Sequence, residues 1–412
     1  MTAKAVPPAF SSPDAVSRAY ILCALGLLTG FGPYVTDLYL SVLPAQAVYF
    51  QTSIPMVQLG LTTSMAGLAA GQLLIGPLSD HYGRRMPLLI TLPLFALVTL
   101  LMIFSPSIEA FVALRFAQGM TGAAGIVLSR SIAADLYSGK ALVAAMGTIS
   151  AVQGVAPVTA PVVGAVLASF TDWRGIFGVL VLLGIALFLM ALRLPESLPP
   201  EKRDPGRVWR AFLKLGAVLG DPVFIVLMLQ QCFASGVLFG YIASSPFIFQ
   251  EAYGLSPLMF SLCFAFNAVL IGVGAGLSGR FPNPVKTLAF GSGLMLFCAM
   301  AAAAAVIIGA WFWLIETTLV ATLFCFGLTI PTSTSLAMDL ERERSGAASA
   351  MLGATGFLAG GIVSPLVGMG AIEMSTGGVL SGCALLAFLT ALLAAALLRR
   401  HPMPDRRGEP IA

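Results

Sequence analysis

Two charged side chains, Asp37 and Arg115, stand inside long apolar runs of this 412-residue sequence and are its best candidates for chemistry. A charge at a bilayer centre costs at least about 2.5–3.5 kcal/mol on insertion scales, so each should face a partner or a water-filled cavity. Desolvation disfavours a charged carboxylate and a nearby guanidinium favours it, so the proton affinity of Asp37 should vary with conformation and with what fills the cavity. A group of that kind can couple a proton to a second solute, with Asp37 carrying the proton and Arg115 holding the local field and geometry. A purely structural Asp37–Arg115 pair is the alternative. Other chemistries lack their residues: there is no HExxH, no GxSxG and no Gly-rich phosphate loop with Lys, and the only histidines are His81 and His401. The cysteines, Cys23, Cys232, Cys263, Cys298, Cys325 and Cys383, lie in apolar runs without metal-like spacing. No catalytic residue, no metal and no cofactor are expected, and the net charge of +4 is too small to suggest nucleic acid.

The elements that must position these residues are membrane helices. Hydrophobic residues make up 58% of the chain and charged residues 10%, with a mean hydropathy of +0.94. Soluble domains carry about 25% charge, so a soluble shell is excluded. The apolar content matches roughly twelve spans of about 20 residues. Windows of that length place spans at 19–43, 56–78, 87–105, 109–134, 141–168 and 174–194, then at 221–249, 257–279, 285–309, 311–336, 345–371 and 376–398. The predicted fold is all-α, with a six-helix bundle at 19–194 and a second at 221–398. Residues 1–18 and 399–412 are tails. The polar stretch 195–220 is a linker whose Val208, Trp209, Phe212 and Leu213, opposite Arg207, Arg210 and Lys214, suit a short surface helix. With the amino terminus in the cytoplasm, all of the 22 basic residues except Arg115 and Arg174 fall on the cytoplasmic side, which puts both termini there.

The junction of the second and third spans runs Gly67-Leu-Ala-Ala-Gly71-Gln-Leu-Leu-Ile-Gly76-Pro77-Leu78-Ser79-Asp80-His81-Tyr82-Gly83-Arg84-Arg85. Gly67 and Gly71, one helical turn apart, permit close approach of a neighbouring helix. Pro77 and Gly83 shape a tight turn that sets Asp80 at the helix end and swings Arg84 and Arg85 toward the inner ends of other helices. A plain basic loop would explain the arginines but not the glycines, Pro77 and Asp80 together.

This segment resembles the inter-helix signature of the major facilitator superfamily, with Gly76, Leu78, Asp80, Gly83, Arg84 and Arg85 in place. The resemblance implies twelve helices in two bundles related by pseudo-two-fold symmetry. It also implies a cytoplasmic latch closed in the outward-open state by Asp80 and Arg84, with Asp135 as third member and Arg130 in the same network. His81 stands where the family usually has arginine. Three further stretches, Thr36-Asp37-Leu38-Tyr39-Leu40, Arg115-Phe-Ala-Gln118-Gly119 with Arg130 to Tyr137, and Tyr241-Ile-Ala-Ser-Ser245-Pro246-Phe247, are similar to the bicyclomycin-resistance and chloramphenicol-efflux branch of drug:proton antiporters. Gly154, Pro157, Pro161 and Gly164 in the fifth span resemble the antiporter signature, departing from it at Ala156 and Ala160. Proline removes a backbone hydrogen bond and glycine removes bulk, so this span should bend and pack against the eighth. The resemblance thus implies proton-driven drug export from a bacterial inner membrane, with lipid, a small-molecule drug and protons as partners and a monomer as the unit.

Tyr34, Tyr39, Gln118, Gln153, Phe239, Tyr241, Phe247 and Asn267 recur near mid-depth and are the expected pocket lining, suited to bulky, partly apolar molecules. Glu316, beside Trp311 and Trp313, reads as an interfacial anchor in preference to a cavity residue. Gly272, Gly274, Gly276, Gly279, Arg280 and Lys286 form a degenerate echo of the span-two junction, as duplicated transporter halves leave. A proton-coupled metabolite symporter or exporter, a sodium-coupled variant and a non-transporting sensor are the rival readings.

Overall fold

A computed structural model describes residues 15–137, 139–203, 216, 218–341 and 345–400. Between 138 and 154 most side chains lie outside the described residues, as do residues 1–14 and 401–412 of the tails and the expected surface helix at 208–214. The described residues form helices and turns without a strand.

Twelve long helices, labelled α1–α12, carry the fold: α1 (Ala15–Asp37), α2 (Ile54–Tyr82), α3 (Arg85–Ile103), α4 (Ile108–Leu136), α5 (Gly139–Ala168) and α6 (Trp173–Ala191), then α7 (Pro222–Phe247), α8 (Pro257–Ser278), α9 (Pro284–Ile307), α10 (Phe312–Leu340), α11 (Ser345–Val367) and α12 (Ile372–Arg400). Eleven contain a stretch long and apolar enough to cross a membrane, and α5 contains the shorter apolar stretch Val155–Ala168. Several begin at side-chain caps that satisfy the open N–H groups of a first turn: Ser107 at α4, Asp172 at α6, Asp221 at α7, Ser256 at α8 and Asn283 at α9. The first span does not run unbroken to residue 43. α1 ends at Asp37, a 3-10 turn follows at Leu40–Val42, and a short helix, Leu43–Tyr49, starts with Pro44 in its first turn, where the missing N–H costs nothing. Pro77 also differs from expectation. It lies within α2, and the turn is made by Gly83 alone, whose φ of 93° suits glycine.

Glycine sets the closest helix contacts. A Cβ on Gly67 would strike the Phe116 carbonyl of α4, and one on Gly119 would strike the Ser64 carbonyl of α2, so each helix carries the notch for the other. The same reciprocal pair recurs in the second half, where Gly274 of α8 meets the Phe324 carbonyl and Gly327 of α10 meets the Ile271 carbonyl. Gly272, Gly276 and Gly279 of the sequence echo meet nothing within 4 Å, so only Gly274 does the packing.

Between the halves, α2 runs along α11 and α5 along α8. Gly368, just beyond α11, and Gly361, Gly360 and Gly353 within it pass in turn beside Gln58, Thr62, Met65 and Gln72 of α2. The described buried core divides by depth. At the end opposite the start of α1, here the far end, one cluster spans both halves, joining Tyr39, Val57, Phe111 and Phe177 to Val237, Phe247, Phe260 and Ile315. At the terminal end, where α1 begins and α12 finishes, the halves keep separate clusters, Leu25, Leu68, Leu92 and Leu128 in one and Phe224, Leu288, Leu336 and Leu352 in the other. The bundle is therefore sealed at its far end, and its two inner cores part toward the terminal end.

Candidate functional site

Arg115 is wholly buried in α4, where water cannot solvate its guanidinium, so the protein must supply the acceptors. Nη1 donates to the Val35 carbonyl at 3.1 Å and to Gln118 Oε1, and Nε donates to the Gly60 carbonyl at 3.3 Å. The guanidinium carbon lies 4.4 Å from the centre of the Tyr39 ring and 5.9 Å from that of Phe177. Gln118 passes the network on, donating to Thr99 Oγ1 of α3 at 2.9 Å. Val35 belongs to the last turn of α1, whose final four carbonyls lack partners in the helix and form the negative end of its dipole. Arg115 thus caps the broken end of α1 and binds it to α2 and α4.

Asp37 is the last residue of α1, 5% exposed, and within the electrostatic reach of Arg115. No ion pair within 4.0 Å joins the two among the described residues, because Arg115 is turned to the backbone and to Tyr39. The helix end and the Asp37 carboxyl therefore draw on one guanidinium without a direct bridge. Beside them, the Leu38 carbonyl lies against Gly164 of α5, which has no Cβ to keep it away. Tyr34 Oη and Thr159 Oγ1 share a hydrogen bond of 3.1 Å between α1 and α5. Pro157 and Pro161 lie within α5, and the side chain at Gln153 and the surroundings of Gly154 lie outside the described residues.

The other expected lining residues divide by exposure. Tyr34 and Phe239 are half-buried, with Phe239 packed 5.9 Å from Phe357 of α11. Tyr39, Gln118, Tyr241, Phe247 and Asn267 are buried, with Tyr39 and Phe247 in the far-end cluster that joins the halves. Asn267 Nδ2 donates to Tyr241 Oη at 2.8 Å, and Tyr241 stacks on Phe264 with centroids 5.4 Å apart. Glu316 departs from expectation. It is 5% exposed and points into the second half, while Trp311 and Trp313 beside it are exposed.

At the terminal end, Arg84 Nη1 donates to Asp80 Oδ1 at 2.5 Å and to Ser79 Oγ at 2.6 Å, and Nε donates to Asp135 Oδ2 at 3.0 Å. Ser197 Oγ donates to the same Asp135 oxygen at 3.0 Å. Arg85 Nη2 donates to the Leu192 carbonyl at 2.6 Å. All these partners belong to the first half or the segment just after α6. Arg130 is exposed on α4, and Gly76 has nothing within 4 Å of its Cβ position. Two contributors were not foreseen. Glu196 accepts from the Arg84 and Arg85 backbone N–H groups at 2.8 and 3.3 Å, capping the start of α3 with a carboxylate. Gln58 of α2 donates across the halves to the Ala243 carbonyl of α7 at 3.1 Å. An isolated glutamine in an apolar run was a usable signal for Gln58, whereas Glu196 stands among other charges and offered none.

A helical bundle of this size with buried charge at a broken helix is a multi-pass membrane protein, and the family and relatives it matches are transporters, not enzymes. Residues 22–365 match the Major Facilitator Superfamily, and the chain belongs to that family. It is 39% identical over 365 residues to the "Uncharacterized MFS-type transporter YdgK" of Bacillus subtilis, covering 87% of this chain and 90% of that one. It is 32% identical over 370 residues to the "Bicyclomycin resistance protein homolog" of Haemophilus influenzae, covering 85% and 89%. Among solved structures, the D-xylose-proton symporter superposes with a TM-score of 0.76 at 17% identity, over 96% of this chain and 100% of that one, a likeness of fold alone.

Proposed function

We propose that this transporter exports small, partly apolar drug-like molecules in exchange for protons, by alternating access between the two halves. The observation that carries the reading is Asp37, a buried carboxyl at a broken helix end, beside an arginine already anchored to other partners. A carboxyl so placed can gain and lose a proton without breaking an ion pair, and each change alters the field at Arg115 and at the end of α1 that it holds. Drug and proton then compete through one structural element. The names of relatives support the substrate class, among them the bicyclomycin resistance protein homolog and a chloramphenicol resistance protein of Pseudomonas aeruginosa, 28% identical over 327 residues.

In this reading the terminal end is cytoplasmic, in a bacterial inner membrane, and the far-end seal is the inward-facing state of a monomer. Tyr34 and Phe239 face the drug. Asp80, Arg84, Arg85 and Asp135, bound within the first half and its adjoining segment in this state, form the cytoplasmic gate with Arg130 and engage the second half when the cytoplasmic side closes. Pro157, Pro161 and Gly164 let α5 bend at the interface with α8. Everted vesicles carrying a pH dye and challenged with chloramphenicol and a panel of antibiotics test direction, ion and substrate together. Proton efflux from the acidified lumen on adding a drug is expected; its absence with every compound, in sodium-free buffer, would overturn the proton as coupling ion.

A further inference from the structure

Neither carboxyl oxygen of Glu316 of α10 makes a well-formed hydrogen bond although the residue is 5% exposed, and Asn267 lies close enough to interact with it. Its polar neighbours are Asn267 of α8 and Tyr241 of α7, both sealed from the surface. Asn267 donates through Nδ2 to Tyr241 Oη, which leaves Asn267 Oδ1 without a donor and the Tyr241 hydroxyl proton free to give. Ser245 Oγ, one turn along α7, lies close to Tyr241 without a well-formed hydrogen bond. Unmet buried acceptors of this kind are rare in native proteins and call for a missing donor.

Two arrangements supply it. With a proton on Glu316, the carboxylic acid donates to Asn267 Oδ1 and the amide keeps its bond to Tyr241. Without that proton, a half-turn of the Asn267 amide brings Nδ2 to the carboxylate, and Tyr241 Oη donates to Oδ1. The amide exchanges its two ends at little steric cost because oxygen and NH₂ are nearly the same size. The cluster therefore offers Glu316 a hydrogen-bond partner in each protonation state, and the two forms differ by one proton on Glu316. The titratable groups facing Glu316 are Tyr241 from α7 and Cys263 from α8. From α9, Cys298 faces Cys325 instead, and α11 carries no titratable residue.

We propose that Glu316, Asn267 and Tyr241 form a second proton-binding site, in the second half, additional to Asp37. The proposal rests on the alternating-access reading, since the cluster lies in the far-end core and exchanges with solvent when that end opens. Two protons per cycle instead of one would raise the limiting accumulation of an uncharged drug by a further factor of about ten for each unit of pH gradient.

The test is infrared spectroscopy of the full chain in phosphatidylethanolamine and phosphatidylglycerol vesicles, titrated over about pH 5–8, where folded proteins are most stable. Wild type, Glu316→Gln, Asn267→Leu and Asp37→Asn are compared in choline chloride. The expected result is a carboxylic acid C=O band, separate from that of Asp37, that grows as pH falls, is lost in Glu316→Gln, shifts in Asn267→Leu and stays in Asp37→Asn. A Glu316 carboxyl that shows no acid band, or an acid band that never titrates, would overturn the proposal. So would loss of the titration when sodium replaces choline, which would make the site a cation site. Because the measurement needs no transported drug, failure of drug-driven proton flux would leave its outcome readable.

Discussion

Replacing Arg115 by lysine keeps the charge and removes the fork, which isolates what the guanidinium geometry contributes. Arg115 reaches the Val35 carbonyl at 3.1 Å with Nη1 and the Gly60 carbonyl at 3.3 Å with Nε, and lies 4.4 Å from the Tyr39 ring centre. A lysine ammonium gathers its three donors on one atom without a planar face, so it cannot reproduce the spread of the fork over the Val35 and Gly60 carbonyls and leaves one of them unmet. An orphaned buried acceptor costs about 1–3 kcal/mol, and loss of the stacked cation about 0.5–2 kcal/mol. Hydrogen bonds inside membrane proteins average only about 0.6 kcal/mol, which favours the lower part of the combined range, about 2 kcal/mol or thirtyfold in an equilibrium. Reversible unfolding in mixed detergent micelles, followed by tryptophan fluorescence, should show that loss for Arg115→Lys. Hydrogen exchange should localise it, with faster exchange at the Leu38–Leu43 amides, where the chain leaves α1. A variant within about 0.3 kcal/mol of wild type, with unchanged exchange there, would refute the role of Arg115 as the anchor of the broken helix.

Other consequences follow from packing. Gly67→Leu drives a side chain into the Phe116 carbonyl, a backbone atom that cannot rotate away, and should abolish recovery of folded protein from membranes. Gly76→Ala, with nothing within 4 Å, should match wild type within about 0.5 kcal/mol by size-exclusion yield and thermal unfolding, despite lying in the same signature. Gln58→Leu deletes the bond to the Ala243 carbonyl at the sealed far end. A net hydrogen bond of about 0.5–1.5 kcal/mol makes far-end opening up to about tenfold more populated. Electron-resonance distances between labels on the far-end segments Gln51 and Gly254 should report the shift, and an unchanged distribution would remove Gln58 from the seal.

The helical architecture was legible because hydropathy writes membrane spans directly into the sequence, and a rare charge in an apolar run announces itself. Asp37 and Arg115 stood out for that reason. What Arg115 binds was not legible, because two of its acceptors are the Val35 and Gly60 carbonyls, which every residue type supplies. The break after Asp37 was hidden inside an apolar run, although Pro44 marked the start of a new helix. Glu316 shows a different limit. Its spacing with Leu319, Leu323 and Phe326, all buried, is that of one helix face, but in α10 the lipid-facing side is also apolar, so no polarity contrast marks the inner stripe. Neighbouring tryptophans then pulled the reading toward the membrane surface. The terminal-end cluster divides the same way: Asp80, Arg84 and Asp135 are a recognisable set, whereas the Glu196 cap depends on where the chain returns after α6.

Proton coupling in the proposed cycle turns on Asp37. Everted vesicles with a pH dye, loaded with wild type or Asp37→Asn at equal amounts of folded protein, should be challenged with whichever antibiotic drives proton flux in the wild type. Asp37→Asn is expected still to bind the drug, measured by tryptophan quenching, and to move no protons on its addition. Proton-driven export at wild-type rate in Asp37→Asn would contradict it.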